Sequence, residues 1–310
     1  YNDDYTAYEI VPVMAAGDPE DVTAEYVGED WGIAEGETGK AFRIHLNQDA
    51  CWQDGTPITA DDYVYSLKET LNPDFQFYRA SVYYQGSLQI HNAQAYVYSG
   101  TTKNVVNSND GATTVYAFAD WVKGEDGQYT SADGVKLYFT LNDDLQWMGG
   151  NSITAYHDAG YFANCYDGLS ELADENGYVP VTDESIELLY SFTGSDDFGN
   201  ESKDDLAYYA AYEKVFDTIT FDQVGIQKVD DYTFDLILDK ELVGFYIKYN
   251  LNANWLVYEP LFEQCKTQDA TTGSWSSTYG TSVDTTMSCG PYKLTSFVLD
   301  QQMTWEKNEN

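Results

Sequence analysis

The chain has 310 residues, 43% hydrophobic and 16% aromatic, enough apolar material for one large domain or two ordinary ones and unlike a disordered polymer. Lys and Arg number 15 against 52 Asp and Glu, a formal net charge of −37, so the surface repels phosphate backbones and anionic lipid; nucleic acid is a poor partner, and solubility in a salty external medium is the plain reading of the charge. No stretch approaches the ~20 consecutive apolar residues that cross a bilayer, and Tyr1-Asn2-Asp3-Asp4 lacks the basic start and apolar run of a signal peptide, so a signal was removed or the sequence begins inside a longer protein.

In chain order, Phe42-Arg43-Ile44-His45-Leu46 alternates apolar and polar and reads as a half-buried strand. Asp54-Gly55-Thr56-Pro57 is a turn, with Asx chemistry, a Gly for unusual dihedrals and a Pro that cannot extend a ladder. Thr59 then caps a helix whose first turn carries Asp61 and Asp62, where the helix dipole favours negative charge. Val64, Leu67 and Leu71 share one face of it, and Pro73 ends it. The stretch 113–122 predicts a strand from the alternation of Val115, Ala117, Ala119 and Trp121. A second follows at 135–141 with Leu137, Phe139 and Leu141, and 124–134 is the loop between them. Helical patterns cover 158–174, 183–191 and 203–218, the last carrying Leu206, Tyr209, Ala210 and Phe216. A hairpin is predicted from Gly225-Ile226-Gln227-Lys228-Val229, a turn at Asp230-Asp231, and the run 232–238. A polar loop over 266–286 leads to two last strands, at Tyr292-Lys293-Leu294 and Met303-Thr304-Trp305-Glu306. Strands and helices mix without a repeating βαβ beat, which predicts a mixed α/β (α+β) fold.

The usual catalytic motifs fail one by one. Gly39-Lys40 suggests a phosphate loop, but Ala34 stands where the first Gly belongs and Ala41 where Ser or Thr belongs. Neither G-x-G-x-x-G nor G-x-S-x-G occurs. His45, His91 and His157 lie far apart and no H-E-x-x-H exists, so a metal ligand is a weaker reading of each than an ordinary satisfied histidine. Asp174-Glu175-Asn176-Gly177 resembles a calcium loop until Leu172 is found where an Asp ligand should stand. Pairs such as Asp61-Asp62 and Asp204-Asp205 are expected by chance among 52 acids. Cys51, Cys165, Cys265 and Cys289 form no C-x-x-C; their pairing is not legible, and free buried thiols are the default. The remaining chemical clue is 28 Tyr, 14 Phe and 7 Trp, side chains that join flat apolar faces to polar tips and suit wet binding surfaces as well as cores.

Three stretches, in order, resemble one family. Phe42-Arg43-Ile44-His45-Leu46 is followed by Trp52-Gln53-Asp54-Gly55-Thr56-Pro57-Ile58-Thr59-Ala60-Asp61-Asp62 and then Val64-Tyr65-Ser66. Val229-Asp230-Asp231-Tyr232-Thr233 comes next, then Cys289-Gly290-Pro291-Tyr292-Lys293-Leu294 with Trp305-Glu306-Lys307-Asn308. Together they are similar to the signatures of the peptide/nickel-type solute-binding proteins, family 5, the extracellular substrate-binding components of ABC transporters. Cys51 stands where the family commonly has Lys, Cys289 replaces a Gly, and residues 95–200 read as a large insertion atypical of the family.

The resemblance implies a class II periplasmic-binding-protein-like fold, of which this chain is the first lobe only, the second being absent from the sequence. It implies a basal subdomain from 1–45 plus 270–310 and a stacked subdomain from 46–269. It implies a monomeric binder that is not an enzyme and needs neither cofactor nor metal. It would capture oligopeptides or dipeptides at the cell surface or in the periplasm, deliver them to permease subunits, and touch the membrane only through a lipid anchor outside this chain. By family position Tyr78, Tyr83, Tyr84, Asn252, Asn254 and Trp255 approach the ligand. Oligosaccharide or nickel-chelate cargo in the same family, an extracellular glycoside hydrolase, and a surface adhesion module are the alternatives.

Overall fold

Glu20–Asp21 (β1) pairs antiparallel with Ala41–His45 (β2), near the start of the residues that the computed structural model describes: 10–85, 87–107, 116–145, 148–162, 165–195, 201–251 and 256–309. The expected strand at 42–46 is thus found, one residue earlier. After it comes the expected turn. Gly55 adopts a positive φ of 86°, Asp54 Oδ1 accepts from Thr56 N at 2.9 Å, and Cys51 bridges to Pro57. Ala60–Thr70 (α1) begins where Thr59 predicts. Thr59 N donates to Asp62 Oδ2 at 2.8 Å, and Asp62 Oδ1 also accepts from the indole of fully buried Trp52 at 3.1 Å, so one carboxylate caps the helix and fixes the turn before it. Leu67 and Leu71 are buried, with Val64 packed beside them. A short helix, Ala93–Val97 (α2), follows.

The chain divides into two compact units, Tyr1–Ser99 with Asp217–Asn310, and Gly100–Phe216. In the second, Thr102–Val106 (β3) precedes a small hairpin of Val122–Lys123 (β4) and Tyr129–Thr130 (β5). Leu137–Thr140 (β6), Ile153–Asp158 (α3), Tyr166–Leu172 (α4), Tyr178–Pro180 (β7), Asp183–Thr193 (α5) and Ala210–Val215 (β8) complete it. Its sheet runs β3-β8-β6-β7, antiparallel throughout. Leu137, Phe139, Leu169, Val179, Leu189 and Tyr209 fill a core without any exposure.

Two expectations are corrected here. Within 113–122, of which 113–115 lie outside the described residues, Phe118–Asp120 forms a 3-10 turn and only Val122 joins a strand. Trp121 is buried and its indole donates back to Tyr116 O at 3.2 Å, which holds the turn closed. The helix expected over 203–218 is a 3-10 turn at Lys203–Tyr209 followed by β8. Ala210 and Ala211 sit between β3 and β6, where a small side chain buried in mid-sheet carries no helical or alternating signature. The pattern at 158–174 resolves into the end of α3 and α4, with Gly160 at a positive φ between them.

The chain returns as the predicted hairpin, Ile226–Asp230 (β9) and Thr233–Ile237 (β10), giving a sheet of order β1-β2-β10-β9. Arg43 lies opposite Asp235 in the β2–β10 register. Arg43 Nε donates to Asp235 Oδ1 at 2.9 Å and Nη2 to Oδ2 at 2.7 Å, while Tyr26 Oη donates to Oδ2 at 2.7 Å. Asp235 is completely buried, and its charge is matched by that fork. Phe42, Ile44, Leu67, Leu71, Phe234 and Leu236 anchor the core. Phe245–Leu251 (α6) and Glu259–Cys265 (α7) follow. The polar stretch expected to be loop at 266–286 contains a hairpin of Lys266–Gln268 (β11) and Trp275–Ser277 (β12). Lys266 Nζ packs within 6.0 Å of the Phe75, Phe262 and Trp275 rings and bonds Glu69 at 3.0 Å; the contacts to Phe75 and Glu69 cross long sequence separations that polarity alone does not reveal. The two last strands appear as Tyr292–Val298 (β13) and Gln302–Lys307 (β14), longer than read from sequence. Among the described residues no helix is long and apolar enough to cross a membrane.

Candidate ligand-binding surface

A cavity of about 260 Å³ opens in the unit that holds α1 and the β1-β2-β10-β9 sheet. Part of its lining is the segment 10–15, where Met14 O accepts from Asn47 N at 2.8 Å. The rest includes Ile44 and Leu46, Tyr63, Phe234 and Leu251, drawn from β2 and the residue after it, α1, β10 and α6. Strand alternation turns Ile44 and Leu46 to the same side. Tyr63 stacks on Phe234 with ring centroids 5.0 Å apart, which fixes the floor. The charged groups among the lining residues are Asp18 and Lys248, paired at 2.7 Å, so they present little net charge. Burial pushes the Tyr63 phenol above its ordinary range and raises the Cys289 thiol, so both stay protonated at neutral pH and Cys289 is no activated nucleophile.

Beside the cavity, α6 turns Phe245, Tyr246 and Tyr249 outward, each more than half exposed, while Ile247 faces inward. Phe245 and Tyr249, one helical turn apart, stack at 5.7 Å. A shallower groove lined by Ile10, Val11, Pro12, Gly244, Phe245 and Lys248 joins this aromatic shelf to the segment 10–15. The arrangement can take a flat or apolar group and, among the described residues, offers no reactive pair. His45 Nδ1 lies 3.2 Å from Thr233 Oγ1, His91 Nδ1 lies 2.6 Å from Asp239 Oδ1, and the His157 ring stacks on Tyr166 at 3.9 Å, so each histidine has a structural partner. Among the described residues no group of three or more His, Cys, Asp or Glu is arranged to hold a metal ion. The four cysteines are free, two buried and two half-buried.

The residues singled out from sequence fall in different places. Tyr78 is 76% exposed, with Arg79 Nε donating to its hydroxyl at 2.7 Å. Tyr83 is 4% exposed and lies behind the cavity, lining with Tyr63, Phe234, Leu251 and Leu256 a void of about 20 Å³, room for one water rather than a ligand. Tyr84 is half-buried, its hydroxyl 3.3 Å from that of Tyr98. Asn252, Asn254 and Trp255 lie outside the described residues; Leu251 and Leu256, on either side of them, both line the cavity. The sequence reading missed the shelf on α6 and the segment 10–15. The signal for the shelf was present in Phe245-Tyr246-Ile247-Lys248-Tyr249, where three aromatics share seven helical residues with a single buried position.

A model of the bacterial extracellular solute-binding proteins, family 5 Middle, matches residues 9–123 and 116–310. The periplasmic oligopeptide-binding protein OppA of Escherichia coli strain K12 is 42% identical over 48 residues, 16% of this chain and 8% of that protein. OppA of Haemophilus influenzae is 31% identical over 88 residues, 28% of this chain and 16% of that protein. The match thus spans a small part of these curated relatives. Among solved structures, Listeria monocytogenes OppA bound to peptide is similar at 16% identity with a TM-score of 0.41, over 96% of this chain and 30% of that one. The substrate-binding domain of an oligopeptide ABC transporter from Bacillus anthracis gives 16% identity and a TM-score of 0.44, over 96% and 29%.

Proposed function

The chain belongs to the bacterial extracellular solute-binding proteins of family 5, and from that membership we propose that it is the first lobe of a binding protein that captures oligopeptides or dipeptides outside the cytoplasmic membrane and delivers them to the permease of an ABC importer. The observation that carries the reading is the family match, which extends from residue 9 to residue 310. An apolar cavity beside an aromatic shelf, with no reactive pair placed at it, supports a binder rather than an enzyme. In this reading the basal subdomain is 1–45 with 270–310 and the stacked one is 46–269. By family position Tyr78, Tyr83, Tyr84, Asn252, Asn254 and Trp255 meet the ligand. A monomer held at the cell surface by a lipid anchor outside this chain, or free in the periplasm, does the work. Ligand touching both lobes of the whole protein favours the closed state.

A second reading keeps the family and changes the cargo. Phe245, Tyr246 and Tyr249 are exposed flat rings of the kind on which sugars stack, which favours an oligosaccharide. Thermal-shift screening of the full-length protein separates the two. Stabilisation by peptides but not sugars is expected, stabilisation by sugars alone moves the assignment to the second reading, and no response to either overturns both. Residues 1–310 alone should bind peptide only weakly, since half of the enclosing contacts are supplied elsewhere. Micromolar or tighter binding by this chain overturns the two-lobe part of the proposal.

A further inference from the structure

Residues 100–216 close on themselves. β3 and β8 pair along their whole length, Thr102 opposite Val215 and Val106 opposite Ala211. Phe216 N donates to Thr101 O at 2.9 Å, one step further out. The first and last residues of this unit are therefore held side by side by its own ladder. Its core, from Leu137 and Phe139 to Leu189 and Tyr209, is drawn only from residues inside it.

The other unit closes its own ends as well. Ser99 Oγ accepts from Ile219 N at 2.8 Å and donates to Ile219 O at 3.2 Å, a staple just outside the two crossing points. Its core clusters likewise use only residues of 1–99 and 217–310. Adjacent ends, separate cores and an ordinary domain length are the physical conditions under which one domain can be inserted into another without sharing its folding free energy.

We infer that Gly100–Phe216 is an inserted module that folds on its own, starting and ending later in the chain than the 95–200 read from sequence. Residues 1–99 and 217–310 keep their fold without it. On the functional reading above, cargo capture belongs to that remainder, and the module is an accessory whose removal spares binding.

Hydrogen exchange on the full chain tests the folding claim. Phe139→Ala empties a fully buried site in the module. It should speed exchange there roughly a hundredfold or more, by the usual cost of such a cavity, and change β2 and β10 less than about twofold if the units open separately. An equal acceleration in β2 and β10 overturns the inference. A second variant joins Ser99 to Asp217 through Gly-Gly. One cooperative thermal transition with β2 and β10 still protected is expected; an aggregated or unprotected chain counts against the claim. The same excision in a full-length protein that binds peptide should leave Kd within about threefold, a change of ~0.65 kcal/mol at most. Lost binding with the fold retained overturns the allocation of cargo alone. Absence of peptide binding before excision removes the functional reading and leaves the folding result standing.

Discussion

The two units differ in whether they bury charge. Among the described residues, both buried carboxylates, Glu69 and Asp235, lie in the unit of residues 1–99 and 217–310, and each is met by a cation: Lys266 for Glu69, Arg43 for Asp235. The buried polar side chains of 100–216 are uncharged: Asn107, Ser131, Thr140, Ser152, Ser185 and Thr193. Asn107 is one of them that bonds to backbone. Its amide donates to Tyr116 O at 2.9 Å and Ala207 O at 3.0 Å and accepts from Tyr116 N at 3.0 Å, so a neutral group closes a bend in the backbone. One core therefore includes charge pairs between distant segments, while the other relies on packing and neutral hydrogen bonds. The first should be sensitive to charge and pH, and the second to volume and hydrogen-bond loss.

The largest test of that contrast is Asp235→Ala. It removes the acceptor of Tyr26 and one carboxylate partner of Arg43, which keeps Glu25 at 2.9 Å, and breaking a pair of this kind costs about 3 kcal/mol, the lower end of the usual range because Arg43 is partly exposed. Urea unfolding, followed by exchange at β2 and β10, should show the loss in that unit. The double variant Arg43→Met with Asp235→Leu should recover most of it, since apolar residues of similar size often replace a buried pair without loss. If the double variant is as weak as the single one, the pair stabilises more than it costs and the contrast sharpens. If Asp235→Ala is silent, the contrast fails.

The matching variant in the other unit is Asn107→Leu. Tyr116 N loses its acceptor, and the carbonyls of Tyr116 and Ala207 each lose one of two donors, at a residue 2% exposed, which should cost about 2 kcal/mol. The loss should be the same at pH 5 and pH 8, because no ionisable group is involved. A loss that varies with pH over that range would show that charge reaches this core too.

What could be read from sequence follows the same division between local and distant. The turn at Asp54-Gly55, the cap at Thr59 and the strand at β2 are set by neighbours a few residues away, and they stand where the sequence places them. The pairing of Arg43 with Asp235 joins residues 192 apart, and nothing in the buried run Thr233-Phe234-Asp235-Leu236-Ile237 says which carboxylate is matched. Ala210 and Ala211 read as helix because small residues buried on both faces of a sheet carry no period. The candidate surface was legible only in part. Tyr78 and Tyr84 share a loop with Tyr83, but composition cannot separate a ring in solvent from one in the core. The shelf on α6 is not singled out, because aromatic content alone does not separate an exposed ring from a buried one.

The smallest predicted effect concerns pH. Burial alone would raise the Asp21 carboxyl, but the Thr23 hydroxyl, Thr23 N at 3.0 Å and Gly39 N at 2.8 Å all donate to it and hold it below the ordinary carboxylate range. A carboxylate with a depressed folded pKa contributes stability that is present above its unfolded value, about 3.9, and is lost as pH falls through the folded one. Asp21→Asn should therefore destabilise its unit at pH 6 by less than about 1 kcal/mol, since the residue is largely solvent-exposed and screened. The gap to the unchanged protein should start to narrow as pH falls below the unfolded value and close only once pH is below the depressed folded one, where both side chains are neutral. Unfolding midpoints of the two proteins from pH 6 to pH 2.5 measure it. A constant gap would mean that the bond geometry matters and the charge does not, and would move Asp21 into the same class as Asn107.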